Sequence, residues 1–486
     1  MYIKLISVLV ILGCFCRISV AEELIQAPAA IHISSTVSDG KLSIPEIIAT
    51  AKENGIKVII FTDHAMVKWE YGLWPLRKII KKTVERNSIS TYGIKRYLRE
   101  IEDAQKKNPD LVLIPALESA PFYYWSGNPF KNNLKLHNWH KHILVIGLGK
   151  AEDYKNIPSV SNGNSLYLRF RIWLLWPILT LLAGVFCLRK RQFGYKDLQG
   201  RSLGPYSLKW RIFGIVVIIF SLLFLFNNFP FAEFKFDQYH GEQGVGPYQN
   251  LVDYVNNKGG LTFWAHPEAE YIKRIGRVEV ETREYSDYLL DTSDYSGFAV
   301  FTEGYKIGRP GNIWDSVLKQ YCLGERKSPV WAISELDFDV TGDLAEYIKG
   351  LRTVILVPSL TREAVLEALG HGRMYVVRGK PGLVLDKFVI HDSLSDVNVT
   401  MGDKIELSGN PVVKMGGHFP DKRSKRVKIN LIRNGVVTKT FEVMSPFEID
   451  YQDDYFDKGK KIYYRIEIRY AGGILATNPV FVKFGN

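Results

Sequence analysis

His32-Ile-Ser34-Ser-Thr-Val-Ser38-Asp39-Gly40, followed at a short distance by Lys57-Val-Ile-Ile-Phe-Thr62-Asp63-His64, is the stretch that decides the fold. Between the two, Ser43-Ile44-Pro45-Glu46 is a helix start: the serine caps free amides and the glutamate bonds back, which predicts a helix from Ile44 to Asn54. Lys57 to Thr62 is an apolar, β-branched run of the kind a buried strand needs. Asp63 and His64 stand immediately beyond its end. Polar groups just past the ends of strands that alternate with helices are how a βα barrel assembles a site, because those ends share one mouth.

The pattern repeats outward from this stretch. Leu111 to Ala116, His142 to Gly147, Leu261 to Ala265, Phe298 to Thr302, Pro329 to Ile333 and Thr353 to Val357 are further strand candidates, and a helix from Arg362 to Leu369 follows Thr361. Glu118, His266 and Asp337 lie just past strand ends, as Asp63 and His64 do. Imidazole and carboxylate together suit Zn, Mn or Fe.

The ordered set of motifs resembles the PHP superfamily, named for polymerase and histidinol phosphatase domains. His32 stands for the first residue of its His-x-His, Ser38-Asp39-Gly40 for its Ser-Asp-Gly turn, and Thr62-Asp63-His64 for its Thr-Asp-His. Pro115-Ala-Leu-Glu118 matches its Pro-Gly-x-Glu, His142-Ile-Leu its next histidine, and Ala265-His266-Pro267 its Ala-His-Pro. The resemblance covers about residues 30 to 370 and implies a distorted seven-stranded (βα)7 barrel. It also implies two or three divalent metals, Zn, Mn or Fe, that activate a water against a phosphoester. By position His32, Asp39, His64, Glu118, His142, His266, Asp337 and Asp339 take ligand places, with Asp63, His64 and Asp337 in catalytic ones.

Two positions depart from the family pattern. Ser34 replaces the second histidine of His-x-His, and Asp339 stands where Ser334-Glu-Leu-Asp337-Phe-Asp339 should end in histidine. Serine is a poor ligand for these metals, so one metal position is expected to be weak or empty, and the site to favour a harder ion. Asp63 has two readings, a catalytic partner of His64 or a group that caps the next turn and orients that histidine. His137 and His140 read as surface or outer groups, Glu303 and Glu335 as minor candidates near the mouth, and Cys322 as structural.

Beyond residue 380 the texture becomes short alternating strands. Arg426 to Ile432, an Asn434-Gly435 turn, and Val436 to Val443 predict a type I′ hairpin. Ile462 to Tyr470 and Ile474 to Phe484 around Ala471-Gly472-Gly473 predict another, so residues 381–486 are expected to be an all-β sandwich without a site.

Three apolar stretches complete the organisation. Lys4, the run from Leu5 to Cys16 and Ser19-Val20-Ala21 read as a signal peptide over residues 1–21. Residues 172–188 and 212–231 each approach the roughly 20 residues of a spanning helix. They predict a transmembrane hairpin over 166–234, set between barrel parts at 22–165 and 235–380. The intervening loop, 189–211, carries seven bases against one acid, which the positive-inside rule assigns to the cytoplasm. The barrel and sandwich are then expected on the extracytoplasmic side, in contact with the lipid bilayer. His142 precedes the hairpin and His266 follows it, so a shared metal site requires an even number of crossings.

The net charge of +12 in 486 residues is thereby reduced to a topology signal: the loop holds six of those charges and the signal two, leaving four on the exported parts. No nucleic-acid partner is expected. Of four cysteines only Cys322 lies in the exported parts, so no intrachain disulfide is expected there. The functional expectation is a metal-dependent phosphoesterase acting on a small-molecule phosphoester. The alternatives are a carboxyl- or carbamoyl-ester hydrolase of the same metal chemistry and a degenerate, non-catalytic ligand-binding scaffold.

Overall fold

A strand absent from the expectations opens the chain: β1 (Ile25–Ile33), whose Gln26, Pro28 and alanines disguise it as a loop. It is followed around a single sheet by β2 (Val58–Phe61), β3 (Val112–Ser119), β4 (Ile143–Ile146), β5 (Leu261–Trp264), β6 (Gly297–Phe301) and β7 (Trp331–Ser334), neighbours in that order. The computed structural model describes residues 24–165, 172–191, 198–200, 205–229, 233–301, 304–339, 342–380, 382–392 and 394–485. The expected signal peptide with Cys14 and Cys16, residues 192–197 and 201–204 of the basic loop, and Glu303 lie outside the described residues.

Strands β1 to β3 run parallel, as do β5 to β7. β4 is antiparallel to both its neighbours. The sheet curls until the chain after β7 meets β1 again, through an Ile33–Phe338 bridge and a Leu336 N–H to Ile31 carbonyl bond of 2.8 Å. β2 and β4 are buried along their whole length, as strands covered on both faces must be. Outside packs helix α1 (Ile44–Glu53), where Glu46 accepts the Ser43 N–H at 2.8 Å as expected.

The expected strand at Thr353–Val357 exists as β8 (Leu351–Val357) but is not one of this ring. It pairs antiparallel with β1 and passes the sheet on to β9 (Met374–Gly379), which pairs with Gly473–Thr477. The boundary at residue 380 is therefore a change of texture and not a break in the sheet. The expected count of seven survives because β1 takes the place given to β8.

The C-terminal region is β-rich throughout. A sheet of Val384–Asp392, Val397–Val399, Pro411–His418 and Phe447–Gln452 packs Phe388, Ile390, Val413 and Met415 against Ile429, Leu431, Ile466 and Ile468 of the continuing sheet. The Asn434-Gly435 hairpin forms between Arg426–Arg433 and Val436–Met444. The other hairpin departs from expectation, since its long second arm splits into Gly473–Thr477 and Val480–Phe484. Pro479 lacks an N–H for the ladder, and the Asn478 side chain leaves the sheet to bond Ala332 on both sides and the Met374 carbonyl. A fully buried ion pair also locks this region to the ring: Arg465 grips both oxygens of Asp315 at 2.8 and 2.7 Å, beneath the Trp314 ring.

Two apolar helices interrupt the ring between β4 and β5. Helix α2 (Trp176–Leu188) lies against α3 (Leu208–Asn228), with a Thr180–Ser221 hydroxyl bond of 2.8 Å between them. Gly184 and Gly214 meet at their backbones, so a methyl group on Gly214 would stand 2.7 Å from the Gly184 carbonyl. Small residues thus lie at the contact, and Leu179, Phe186 and Phe226 are exposed outside it. Among the described residues only α3, with 21 residues, is by itself long and apolar enough to cross a membrane; the segment Ile172–Leu188 is shorter. The second apolar helix starts at Leu208 and not at 212, because Ser207 turns the chain into it.

Candidate metal centre

Glu118, near the end of β3 and 3 % exposed, is the hub of a cluster of imidazoles. Its Oε2 lies 3.1 Å from His32 Nε2 and 3.2 Å from His64 Nδ1. Its Oε1 contacts His142 Nδ1 and lies 3.6 Å from His266 Nε2. The last two rings approach each other to 3.3 Å between nitrogens. The antiparallel course of β4 explains why His142 belongs to the cluster although it precedes its strand, whereas His32 and Glu118 lie at the ends of theirs and His64 and His266 follow theirs: the start of β4 faces the mouth at which β2, β3 and β5 end.

The rings are held by their outer nitrogens. His32 Nδ1 meets Glu335 Oε2 at 2.8 Å, and the other oxygen of Glu335 accepts the His266 N–H at 2.6 Å. His142 Nε2 meets the Trp139 carbonyl at 3.0 Å, and His266 Nδ1 the Tyr285 hydroxyl at 3.1 Å. A nitrogen bonded to a carboxylate or carbonyl carries the proton, which turns the lone pairs of His32 Nε2 and His142 Nδ1 inward. His32, His266 and Asp337 have φ of 69°, 31° and 47°. Each is a left-handed conformation costing such residues about 1–3 kcal/mol, a strain typical of functional sites.

The charges fit the same picture. Burial opposes protonation of His32, His64 and His266, but the neighbouring carboxylates outweigh it. His32 is pushed well above the usual histidine range, and His64 and His266 up to about 9. Glu118 is held well below the usual carboxylate range, its burial outweighed by the surrounding imidazoles. For His142 burial wins and the pKa falls. Protons thus stand where cations are wanted, and the donor set fits divalent metal: the ligand atoms of His64, Glu118 and His142 all lie within 4.8 Å of one another.

Two half-exposed acids border the cluster. Asp39 Oδ2 lies 3.2 Å from His64 Nε2, and Asp337 Oδ1 3.6 Å from His32 Nε2. Hydrogen bonding and attraction to His64 overcome burial and bring Asp39 down to about 2. Asp39 is delivered by the turn after β1, in which a side chain on Gly40 would strike the Ser34 carbonyl at 2.1 Å.

Asp63 differs from its catalytic expectation. It is wholly buried and faces that turn, accepting Ser35 N–H and Oγ at 2.8 and 3.0 Å and Ser38 N–H and Oγ at 3.2 and 2.8 Å. It holds the loop that presents Asp39, and its carboxyl is spent there. Asp339 lies beside the same loop, its carbonyl accepting the Lys41 N–H at 3.2 Å, while Asp337 and Glu335 of the same segment contact His32. Ser34 donates its N–H to the Phe338 carbonyl and brings no imidazole.

Glu335 is the residue that sequence reasoning undervalued. Its signal was its place just past β7, equivalent to that of Asp63 past β2. His140 lies at the rim, 3.8 Å between ring centres from Tyr271, and burial beside His142 and His266 keeps it neutral. His137 bonds Ser126 and stacks on Tyr124. Burial lifts the Cys322 thiol to about 12, which suits a structural role.

The sequence model of the PHP domain family matches residues 30–156. This part of the chain is a PHP domain. It contains His32, Asp39, Asp63, His64, Glu118 and His142, while His266, Glu335 and Asp337 join it from beyond the match. A search of curated proteins returned no match. Among solved structures the chain is similar to a two-domain protein of Bacteroides vulgatus described as containing a predicted PHP-like metal-dependent phosphoesterase. The identity is 11 %, covering 94 % of this chain and 96 % of that one, with a TM-score of 0.34. It is also similar to an amidohydrolase of Chromobacterium violaceum with bound sulfate, at 16 % identity over 65 % and 89 % and a TM-score of 0.27.

Proposed function

We propose that the chain is a metal-dependent phosphoesterase anchored in a membrane and acting outside the cytoplasm. The observation that carries the reading is the convergence on Glu118: Oε2 towards His32 and His64, Oε1 towards His142 and His266. His32, His64, Glu118, His142 and His266 would hold divalent metal, with Asp39 and Asp337 at the open side. Divalent metal there supplies Lewis acidity, lowering the pKa of water and neutralising phosphoryl charge. The chain's own residues orient that chemistry. Glu335 fixes two histidines at once, Tyr285 steadies His266, and Asp63 holds the loop that carries Asp39.

The membrane reading rests on the packed apolar helices and on one geometric requirement. His142 and His266 touch across the interruption, so the helices must return the chain to the side it left. Two crossings with the basic loop in the cytoplasm meet this requirement and the positive-inside rule together.

Hydrolysis of generic phosphomonoester, phosphodiester and carboxyl-ester substrates by the Zn-, Mn- or Fe-loaded full chain tests the reading. Phosphoester turnover abolished by His64→Ala supports it. Carboxyl-ester turnover alone transfers the site to the neighbouring hydrolase class. No turnover on a chain that binds no metal leaves the scaffold reading, which Ser34 favours.

A further inference from the structure

The metal mouth is roofed by long excursions of the chain, and one of them reaches the apolar helices. The hairpin of Val67–Gly72 and Lys81–Arg86 leaves the mouth directly after His64. At its tip the Lys78 N–H bonds the side chain of Asn227, at the end of α3, at 3.0 Å. Arg77 lies 3.9 Å over Tyr239, whose hydroxyl accepts the Gly72 N–H at 2.7 Å. The roof is thereby fixed at the end of the helix pair, where a bilayer surface would lie.

The composition of the tip suits that place. Residues 73–82 carry four bases and no acid among Leu73, Trp74, Leu76, Ile79 and Ile80. Trp74 is 79 % exposed, and Ile79 and Ile80 are also exposed. Exposed tryptophan and aliphatic residues interleaved with lysine and arginine are what a membrane interface with anionic headgroups accommodates.

Behind the tip opens a cleft of about 850 Å³ between this hairpin and the strand pair Tyr271–Ile275 and Val278–Thr282. Trp69, Tyr71, Trp125 and Phe130 give it an apolar wall, and Lys82, Arg86 and Arg277 a basic one. Packed side chains and one strand link the wall of the cleft to the metal centre. Trp69 packs edge-on against Trp139, whose carbonyl holds His142. The strand that reaches the cleft at Ile275 begins at Tyr271, against His140, one strand length of roughly 15 Å away.

We propose that the phosphoester substrate is a membrane amphiphile, taken from the bilayer with its hydrocarbon chain in this cleft and its phosphate directed to the metal centre. The proposal rests on the hydrolase and membrane readings above. It adds the class of substrate and its route of entry, carried by the contact of the mouth's roof with α3 and by the paired apolar and basic walls.

The test uses the full chain in nanodiscs containing phosphatidylglycerol with a photoreactive acyl chain, with adducts mapped by mass spectrometry and metal content measured on the same sample. Adducts are expected on Trp69, Trp125 or Ile275–Val280 as well as on α2 and α3. Lys82→Glu, Arg86→Glu and Arg277→Glu together should lower the cleft adducts about tenfold while the helix adducts, which report intact insertion, persist. Excess glycerol 3-phosphate should not compete. Adducts confined to the helices, cleft adducts undiminished in the variant, or competition by the soluble phosphate would each overturn the proposal. The metal content separates its failure from that of the hydrolase reading.

Discussion

His142 Nδ1 and His266 Nε2 lie 3.3 Å apart although 124 positions of sequence, including both apolar helices, separate them. Everything between them must return to the same place, and the ring between β4 and β5 is closed around an excursion. This fixes what the helices are allowed to do: cross together, or not cross at all.

The proposed topology adds to that contact the orientation set by the basic loop. Alkaline phosphatase joined within the loop, after Gly200, should be inactive, whereas a fusion after the last strand should be active. Activity in the loop fusion would reverse the orientation.

Glu335 holds His32 by one oxygen and the His266 backbone by the other. Glu335→Ala should weaken metal binding by roughly 10–100-fold, the usual effect of removing a group that orients a ligating histidine. Metal titration monitored by calorimetry checks this, with circular dichroism to establish folding. An unchanged affinity would remove Glu335 from the site.

Metal and protons compete for the same nitrogens. The pKa of His64 and His266 is raised from an ordinary 6.5 to about 9. In the metal-free protein their bound protons therefore stabilise the fold fully below pH 6.5, and this contribution is lost as pH rises through about 9. The metal-free melting temperature should fall over that window, while the rise in melting temperature on adding Zn or Mn should grow, because ligation requires the neutral rings. Thermal shift at pH 6, 7.5 and 9, with and without metal, reads both signs.

The fully buried Asp315–Arg465 pair joins the ring to the C-terminal sheet. Asp315→Ala leaves a buried guanidinium unpaired and should cost about 3–5 kcal/mol, whereas Asp315→Leu with Arg465→Met should recover much of the loss. Thermal inactivation of the single and double variants measures it; equal losses would show that packing, and not the charge, is at issue.

Much of this was legible because the chemistry sits at strand ends. His64, Glu118 and His266 follow or end apolar runs that also announce the strands, so fold and site share one signal there. β1 was hidden because its residues Pro28, Ala29 and Ala30 lack the bulky pattern of a strand, and only tertiary pairing with β2 and β8 makes it one. Asp63 was ambiguous for a different reason. A buried carboxylate that gathers two serines and one that gathers a metal look alike in sequence, and direction of the side chain separates them. Glu335 was underweighted because its partners, His32 and the His266 backbone, are brought to it by ring closure, which no local pattern contains.

The central claim is that the Glu118 carboxylate and the imidazoles around it, His32, His64, His142 and His266, would hold divalent metal. An anomalous-scattering map of metal-loaded crystals, collected at the Zn, Mn and Fe edges, tests it most directly. A peak within bonding distance of the Glu118 carboxylate is predicted. No peak within bonding distance of Glu118, or peaks only elsewhere in the molecule, would contradict it.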